Sequence, residues 1–322
     1  MKTTPQQLLL AWYHTHGRHD LPWRTTNDPY RIYLSEIMLQ QTQVKTVLER
    51  FYFPFLEKFS TFNEVACAEV DDVLKMWEGL GYYTRARNLH AAARTCQGIL
   101  PATAQELMTL PGIGRSTAHA IAAFAYREAL PILDANVKRI LHRYYALGER
   151  DEKQLWGYAY DLFDPQHPFE YNQAMMDLGS LVCVGKQPKC DECPFGKHCK
   201  GRAEPLRYPM AKVTKPKPIR VRDIILFERE GKFALAQRKE RFLSGLWGFA
   251  QYEKGSWGYH SHYLGHITQH YSHFTLEADC YHETHNDPQE GFEWFSLEEI
   301  GHLSLSRADH KVLQWIHPKE KD

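Results

Sequence analysis

Four cysteines, Cys183, Cys190, Cys193 and Cys199, fall within seventeen residues and leave gaps of six, two and five. Thiolates at this spacing can present four sulfurs to one inorganic centre, an iron–sulfur cluster or a zinc ion. A structural zinc site usually uses two close cysteine pairs, and here only Cys190 and Cys193 form one, so the spacing favours a cluster. The residues between the sulfurs, Lys186, Lys189, Asp191, Glu192 and Lys197, are polar. A loop of that composition needs an inorganic centre to hold its shape. Cys67, Cys96 and Cys280 have no close cysteine neighbour, which reads as a reducing compartment rather than a disulfide framework.

A second local signal is Leu110-Pro111-Gly112-Ile113-Gly114-Arg115-Ser116, a glycine-rich turn between two short helical patterns. Gly112 and Gly114 permit positive φ and leave backbone N–H groups uncovered. The following helix N-terminus aims donors and a positive dipole end at whatever docks, and a phosphate fits there. This is a helix-hairpin-helix candidate. Asp134 follows in Pro131-Ile132-Leu133-Asp134-Ala135-Asn136-Val137. Taken singly it is an N-cap. Combined with the hairpin and the cysteine loop, it becomes a catalytic candidate.

These residues need elements to hold them, and 322 residues suffice for about two domains. Residues 1–208 read as successive helices. Pro5 opens the first and Gly17 closes it; Asp28-Pro29 opens the second, with Tyr30, Tyr33, Leu34, Ile37 and Met38 at helical spacing. Val44 to Phe55 stripe a third, bent or ended at Pro54. Further helices are expected over 84–96, 103–109, 115–125, 135–147 and 171–181. Residues 209–220 read as a basic, Pro-rich linker. Beyond it, 221–322 read as a small α+β domain, with a hairpin around Gly231, strands over 273–281 and 291–295, and a last helix over 307–316. Net charge is zero, but Cys183–Arg222 holds eleven Lys and Arg against three acids, a local footprint for a polyanion. The N-terminus lacks a signal-peptide pattern and no run approaches a membrane span, so the expectation is a soluble cytoplasmic protein, nucleoid-associated if bacterial.

In this order the segments resemble the helix-hairpin-helix/Gly-Pro-Asp superfamily of DNA glycosylases, and within it the A/G-specific adenine DNA glycosylases of the MutY family. Ser35-Glu36-Ile37-Met38-Leu39-Gln40-Gln41-Thr42-Gln43-Val44 carries the likeness most strongly, with Leu21-Pro22-Trp23-Arg24, Trp77-Glu78-Gly79-Leu80-Gly81-Tyr82-Tyr83 and the cysteine loop. The resemblance implies a mainly α helix-hairpin-helix fold with a [4Fe-4S] cluster on the four cysteines. It implies hydrolysis of the glycosidic bond of adenine mispaired with 8-oxoguanine or guanine in double-stranded DNA, by a monomer.

Cutting that bond requires protonation of the leaving purine and stabilisation of a cationic sugar, work for two carboxyl groups in different environments. Glu36 lies mid-helix among apolar residues; partial burial would raise its pKa and keep it an acid. The resemblance gives it the adenine ring nitrogen and leaves Asp134 ionised, facing the oxocarbenium or capturing the sugar, with Asn136 in support. Ser116 stands where lyase relatives carry a Schiff-base lysine, so the enzyme is expected to be monofunctional. By resemblance Trp23, Arg24, Leu39 and Gln173 line the pocket of the extruded adenine. Gln41 fills the gap in the duplex, Thr42 and Leu80 lie beside the opposite base, and Tyr82 lies near the lesion.

The C-terminal part resembles the family's Nudix-like lesion-recognition domain. Gly245-Leu246-Trp247-Gly248-Phe249 and Tyr271-Ser272-His273 carry that likeness, and Tyr271 departs from the usual Phe. Ser272 and His273 would bond an 8-oxoguanine edge. No glutamate set for Nudix metal hydrolysis follows Gly248, and 253–270 is short for the family. His260, His262, His266, His270 and His273 read as solvated or DNA-facing imidazoles. The alternatives are an endonuclease-III-like glycosylase/AP lyase for damaged pyrimidines, disfavoured by Ser116, and a catalytically silent DNA-binding scaffold, disfavoured by the presence of both Glu36 and Asp134.

Overall fold

The computed structural model describes residues 3–149, 151–210, 216–240, 242–257 and 261–316. Residues 211–215 of the expected linker, among them Lys212 and Lys215, lie outside these residues, as does His260. The helices are α1 Pro5–His16, α2 Pro29–Leu39, α3 Val44–Arg50, α4 Tyr52–Lys58, α5 Phe62–Cys67, α6 Val70–Met76, α7 Thr84–Thr95, α8 Ala104–Leu107, α9 Arg115–Tyr126, α10 Ala135–Tyr145, α11 Glu152–Leu162 and α12 Pro168–Leu181. The strands β1 Ile219–Arg229, β2 Lys232–Gln237, β3 Trp247–Gly248, β4 Ala250–Glu253, β5 His262–His270, β6 Thr275–Glu283 and β7 Glu293–Phe295 follow, then α13 Leu297–His302 and α14 Arg307–Leu313.

Local chemistry fixes the ends of the helices that matter. Thr4 and Gln7 form a capping box on α1, and Asp28 caps α2 through the Tyr30 N–H ahead of Pro29. The expected third helix is two. It stops at Phe51 (φ −126°), and Pro54 lies in the first turn of α4, where its missing N–H costs no helical bond.

Contacts divide the chain into two compact units. The first holds residues 1–52, 59–66 and 91–213, and the second 53–58, 67–90 and 214–322. In the first, α1, α10, α11 and α12 enclose a core around Leu9, Leu141, Leu155, Ala174 and Leu178. A smaller cluster, Ile32, Ala120, Phe124 and Ile132, joins α2 and α9.

In the second unit β1 is the centre of the sheet. It pairs antiparallel with β2 across Glu230–Gly231, antiparallel with β4, and parallel with β6 from Ile219/Thr275 to Phe227/Glu283. Ile224 and Leu226 enter one core and Ile225 and Phe227 another, so this strand is buried on both faces. The histidine-rich stretch, expected as loose imidazoles, is in part the strand β5, paired antiparallel with β6. Gly265 breaks its register and lies against the Trp315 ring, which hides the alternation. His266 bonds Asp279 at 2.7 Å and His270 bonds Thr275 at 3.1 Å. Among the described residues no helix is long and apolar enough to cross a membrane.

Candidate active site

Glu36 sits at the centre of α2, whose other side buries Tyr33, Ile37 and Met38. The carboxyl points into a cavity of about 410 Å³ in the first unit, lined among others by Trp23, Arg24, Leu39, Thr42, Ser116, Asp134, Asn136 and Gln173. Burial, then the nearby Asp134 carboxylate, push the Glu36 carboxyl up to about 7, against the lowering charge of Arg24. At neutral pH it can therefore carry a proton.

Asp134 is the N-cap of α10. Its Oδ1 accepts from the Val137 N–H at 2.7 Å and its Oδ2 from the Asn136 amide at 3.3 Å. Burial raises its pKa; the N–H groups of Val137 and Asn136, the charge of Arg139 and the Asn136 side chain oppose that rise. Of the two carboxyls, the capped one has the environment suited to an anion and the uncapped one that suited to an acid.

Three side chains hold the segment that delivers Asp134. Ser116 Oγ accepts from the Leu133 N–H at 3.2 Å. His119 Nδ1 lies 2.8 Å from the Pro131 carbonyl. Asn172 accepts from the Ile132 N–H at 3.0 Å and donates to the carbonyls of Leu130 and Pro168. Asn136 is held in turn by Arg139, which donates to its Oδ1 at 2.8 Å and to the carbonyls of Cys183 and Gly179. A Cβ on Gly179 would stand 2.5 Å from the Asn136 Cβ, so glycine there lets α10 and α12 approach. Arg24 is fixed by Asp177, which it meets with two N–H groups at 2.7 and 2.9 Å, and Arg18 joins the same carboxylate at 2.5 Å. Asp177, Asn172, His119, Arg139 and Arg18 were not read from the sequence. The contacts that matter join residues 12 to 159 positions apart, beyond the reach of local spacing.

Two buried groups in this cavity have no hydrogen-bond partner: the donor Arg24 Nε and the acceptor Gln173 Oε1. Trp23 is buried edge-on against Tyr52 at 5.1 Å. Gln41 is exposed on a turn with φ 58°, and Gln40 donates to Thr117 at 3.3 Å. Leu80, Tyr82, Ser272 and His273 belong to the second unit. There Leu80 is buried, Tyr82 is 44% exposed, and Ser272 and His273 are exposed, their side chains 3.1 Å apart.

The hairpin turn carries Gly112 at φ 78°. Gly114 caps α9 without a side chain, and a Cβ there would meet nothing within 4 Å, so the first N–H groups of α9 are uncovered. Arg115 lies 3.9 Å over the Trp156 ring.

The four cysteines of the loop line a single small cavity with Arg143 and Gly196. Burial raises the thiols of Cys190, Cys193 and Cys199, Cys193 to about 12, so a cationic centre is needed to make them thiolates. Arg143 Nη1 stands 3.3 Å from Cys183 Sγ. A Cβ on Gly196 would meet the carbonyls of Cys193 and Cys190 at 3.1 and 3.2 Å, so a side chain there would crowd that cradle. Among the described residues no three His, Cys, Asp or Glu side chains form a group that could hold a single metal ion. Four sulfurs around one cavity are a donor set that suits an iron–sulfur centre.

A family model described as HhH-GPD superfamily base excision DNA repair protein matches residues 34–158. The chain is 32% identical over 342 residues to an adenine DNA glycosylase of Buchnera aphidicola subsp. Acyrthosiphon pisum (strain APS), covering 96% of each chain. It is 41% identical over 212 residues to an adenine DNA glycosylase of Homo sapiens, covering 60% of this chain and 38% of that one. Among solved structures it is similar to a thermostable thymine-DNA glycosylase, with a TM-score of 0.57 at 28% identity over 62% of this chain and 95% of that one. An endonuclease III in a non-covalent DNA complex matches with a TM-score of 0.53 over 64% of this chain and 100% of that one; at 19% identity this likeness shows the fold alone.

Proposed function

This chain belongs to the adenine DNA glycosylases of the HhH-GPD superfamily of base excision DNA repair proteins, and on that premise we propose that it hydrolyses the bond to adenine mispaired with 8-oxoguanine or guanine, without lyase activity. The supporting observation is the shared cavity of Glu36 and Asp134, one carboxyl raised to about 7 and the other capping a helix. In a DNA complex the adenine leaves the stack and enters this cavity. The acceptor Gln173 Oε1 suits its exocyclic amine, and the donor Arg24 Nε suits a ring nitrogen. Glu36 gives its proton to the leaving base. Asp134 faces the cationic sugar from the other side of the scissile bond and stabilises or captures it. Gln41, Thr42 and Tyr82 stand at the duplex, the uncovered N–H groups at Gly112–Ser116 take a backbone phosphate, and Ser272 and His273 read the lesion in a Nudix-like domain.

Cys183, Cys190, Cys193 and Cys199 would hold a [4Fe-4S] cluster, which when bound keeps the thiols ionised and closes the loop. Ser116 has no amine to form a Schiff base. The test is a duplex with adenine opposite 8-oxoguanine, analysed before and after alkali and after borohydride. Scission at the adenine strand only after alkali, with no abundant trapped adduct, is expected; no adenine release would remove the proposal, and an abundant adduct would remove its monofunctional part.

A further inference from the structure

The turn Gly79–Tyr82 holds three residues at positive φ: Gly79 at 91°, Gly81 at 77° and Tyr82 at 51°. It is braced from within its own unit. Trp77 Nε1 donates to the Gly81 carbonyl at 3.2 Å, and the Tyr83 hydroxyl accepts from the Gly79 N–H at 3.1 Å. Arg85, buried, donates to the carbonyls of Leu80 and Gly81 at 3.4 and 3.0 Å and lies over the rings of Trp77 and Tyr82, 5.4 Å from each. These ties hold the turn's backbone through four hydrogen bonds.

Glu78 immediately precedes it, and its carboxylate is engaged elsewhere. One oxygen accepts from the Leu305 N–H at 2.8 Å and from His310 Nε2 at 2.7 Å. The other accepts from Lys75 Nζ at 3.1 Å, which also donates to the Leu303 carbonyl at 2.9 Å. Burial alone would lift the Glu78 carboxyl; the His310, Leu305 and Lys75 donors outweigh it and hold the group below its ordinary value. The contact extends to either side. Gln237 donates to Asp71 at 3.2 Å, Ser304 to the Asp71 carbonyl at 3.4 Å, and Arg87 to the Ser244 carbonyl. A glutamine at 78 would set an amide N–H₂ against either Lys75 or the Leu305 and His310 donors, since only a carboxylate accepts with both oxygens.

We propose that Glu78 is a positioning residue for lesion specificity: through it the domain bearing Tyr271–His273 sets the pose of the Gly79–Tyr82 turn against the mispair. The proposal rests on the mispair reading above. Glu36 and Asp134 are untouched by it, so the residue acts on which duplex is held rather than on how the bond breaks.

The test uses the full chain and the variants Glu78→Ala, Glu78→Gln and His310→Gln. Duplexes with adenine opposite 8-oxoguanine or guanine are assayed by single-turnover rate and dissociation constant, with hydrogen exchange read at the Gly79–Tyr83 amides. Glu78→Ala should lower the preference for 8-oxoguanine over guanine about tenfold, mainly through weaker binding of the 8-oxoguanine duplex. Glu78→Gln should lie between. His310→Gln should speed exchange in the turn although it lies 232 residues from Glu78. Unchanged exchange in His310→Gln, or an unchanged preference in Glu78→Ala, would overturn the proposal. A wild type inactive on both duplexes would instead sink the mispair reading, and this proposal with it.

Discussion

Replacing Glu36 by glutamine should do two opposite things, and both have a size. With the carboxyl at about 7 rather than its ordinary 4.5, about half the molecules carry the proton at pH 7 instead of about 0.3%, a gain in acid of about 150-fold. The single-turnover rate should therefore stay level below pH 6 and fall close to tenfold per unit above 7.5. The same shift acts on stability. The folded state holds the proton between pH 4.5 and 7 while the unfolded chain has lost it, so the Glu36 contribution is intact below 4.5 and is lost as pH rises through 7. The 2.5-unit difference corresponds to about 3 kcal/mol. Glu36→Gln, which has no proton to lose, should gain about that much relative to the wild type between pH 4.5 and 8, while turning over at least 10²-fold more slowly and still binding the mispaired duplex. Urea unfolding of both proteins at the two pH values measures it. Asp134, whose carboxylate adds to the Glu36 shift, is kept in both, so the difference reads Glu36 together with that coupling. A stability difference that does not change with pH, or a rate that stays level to pH 9, would refute the assignment of Glu36 as the buried acid.

Gly179→Ala should place a methyl 2.5 Å from the Asn136 Cβ, cost roughly 1–3 kcal/mol and lower the rate about 10²-fold by displacing the Asn136 support of Asp134. Gly157→Ala, whose new methyl meets nothing within 4 Å, should stabilise α11 by about 0.5–1 kcal/mol and leave the rate alone; chemical unfolding and single-turnover assays on both variants check the contrast. Cys193→Ser should reduce bound iron from about four atoms per chain toward none and remove the visible absorbance, measured by iron analysis of purified protein.

Much of the first unit could be read locally. Asp28-Pro29 announces α2 because a side-chain cap and a pre-set φ act within two residues of each other, and Asp134 caps α10 by the same local rule. The raised pKa of Glu36 could only be framed as a condition, because α2 supplies one wall of its pocket and the Ser116, Asp134 and Gln173 segments supply the rest. Asp177 and its two arginines meet across 159 and 153 residues, a separation that no periodicity records. The helix α11, outside the expected elements, carries a local signal of the same kind, with Asp151 as cap and Leu155, Trp156, Ala159 and Leu162 buried. In the second unit the β1–β2 hairpin followed from Gly231, but the parallel pairing of β1 with β6 joins strands with four others between them in the chain. The polar, glycine-broken β5 lacks the alternation that identifies a half-buried strand.

The seam at Glu78 has a consequence for synthesis. Asp71, Lys75 and Glu78 bond groups that follow them by 166, 228 and 232 residues. At about 5–20 residues per second, Glu78 leaves the ribosome roughly 10–50 s before His310 exists. A seam of charged and polar groups remains hydrated through that wait, where an apolar one would offer a sticky face to neighbouring nascent chains.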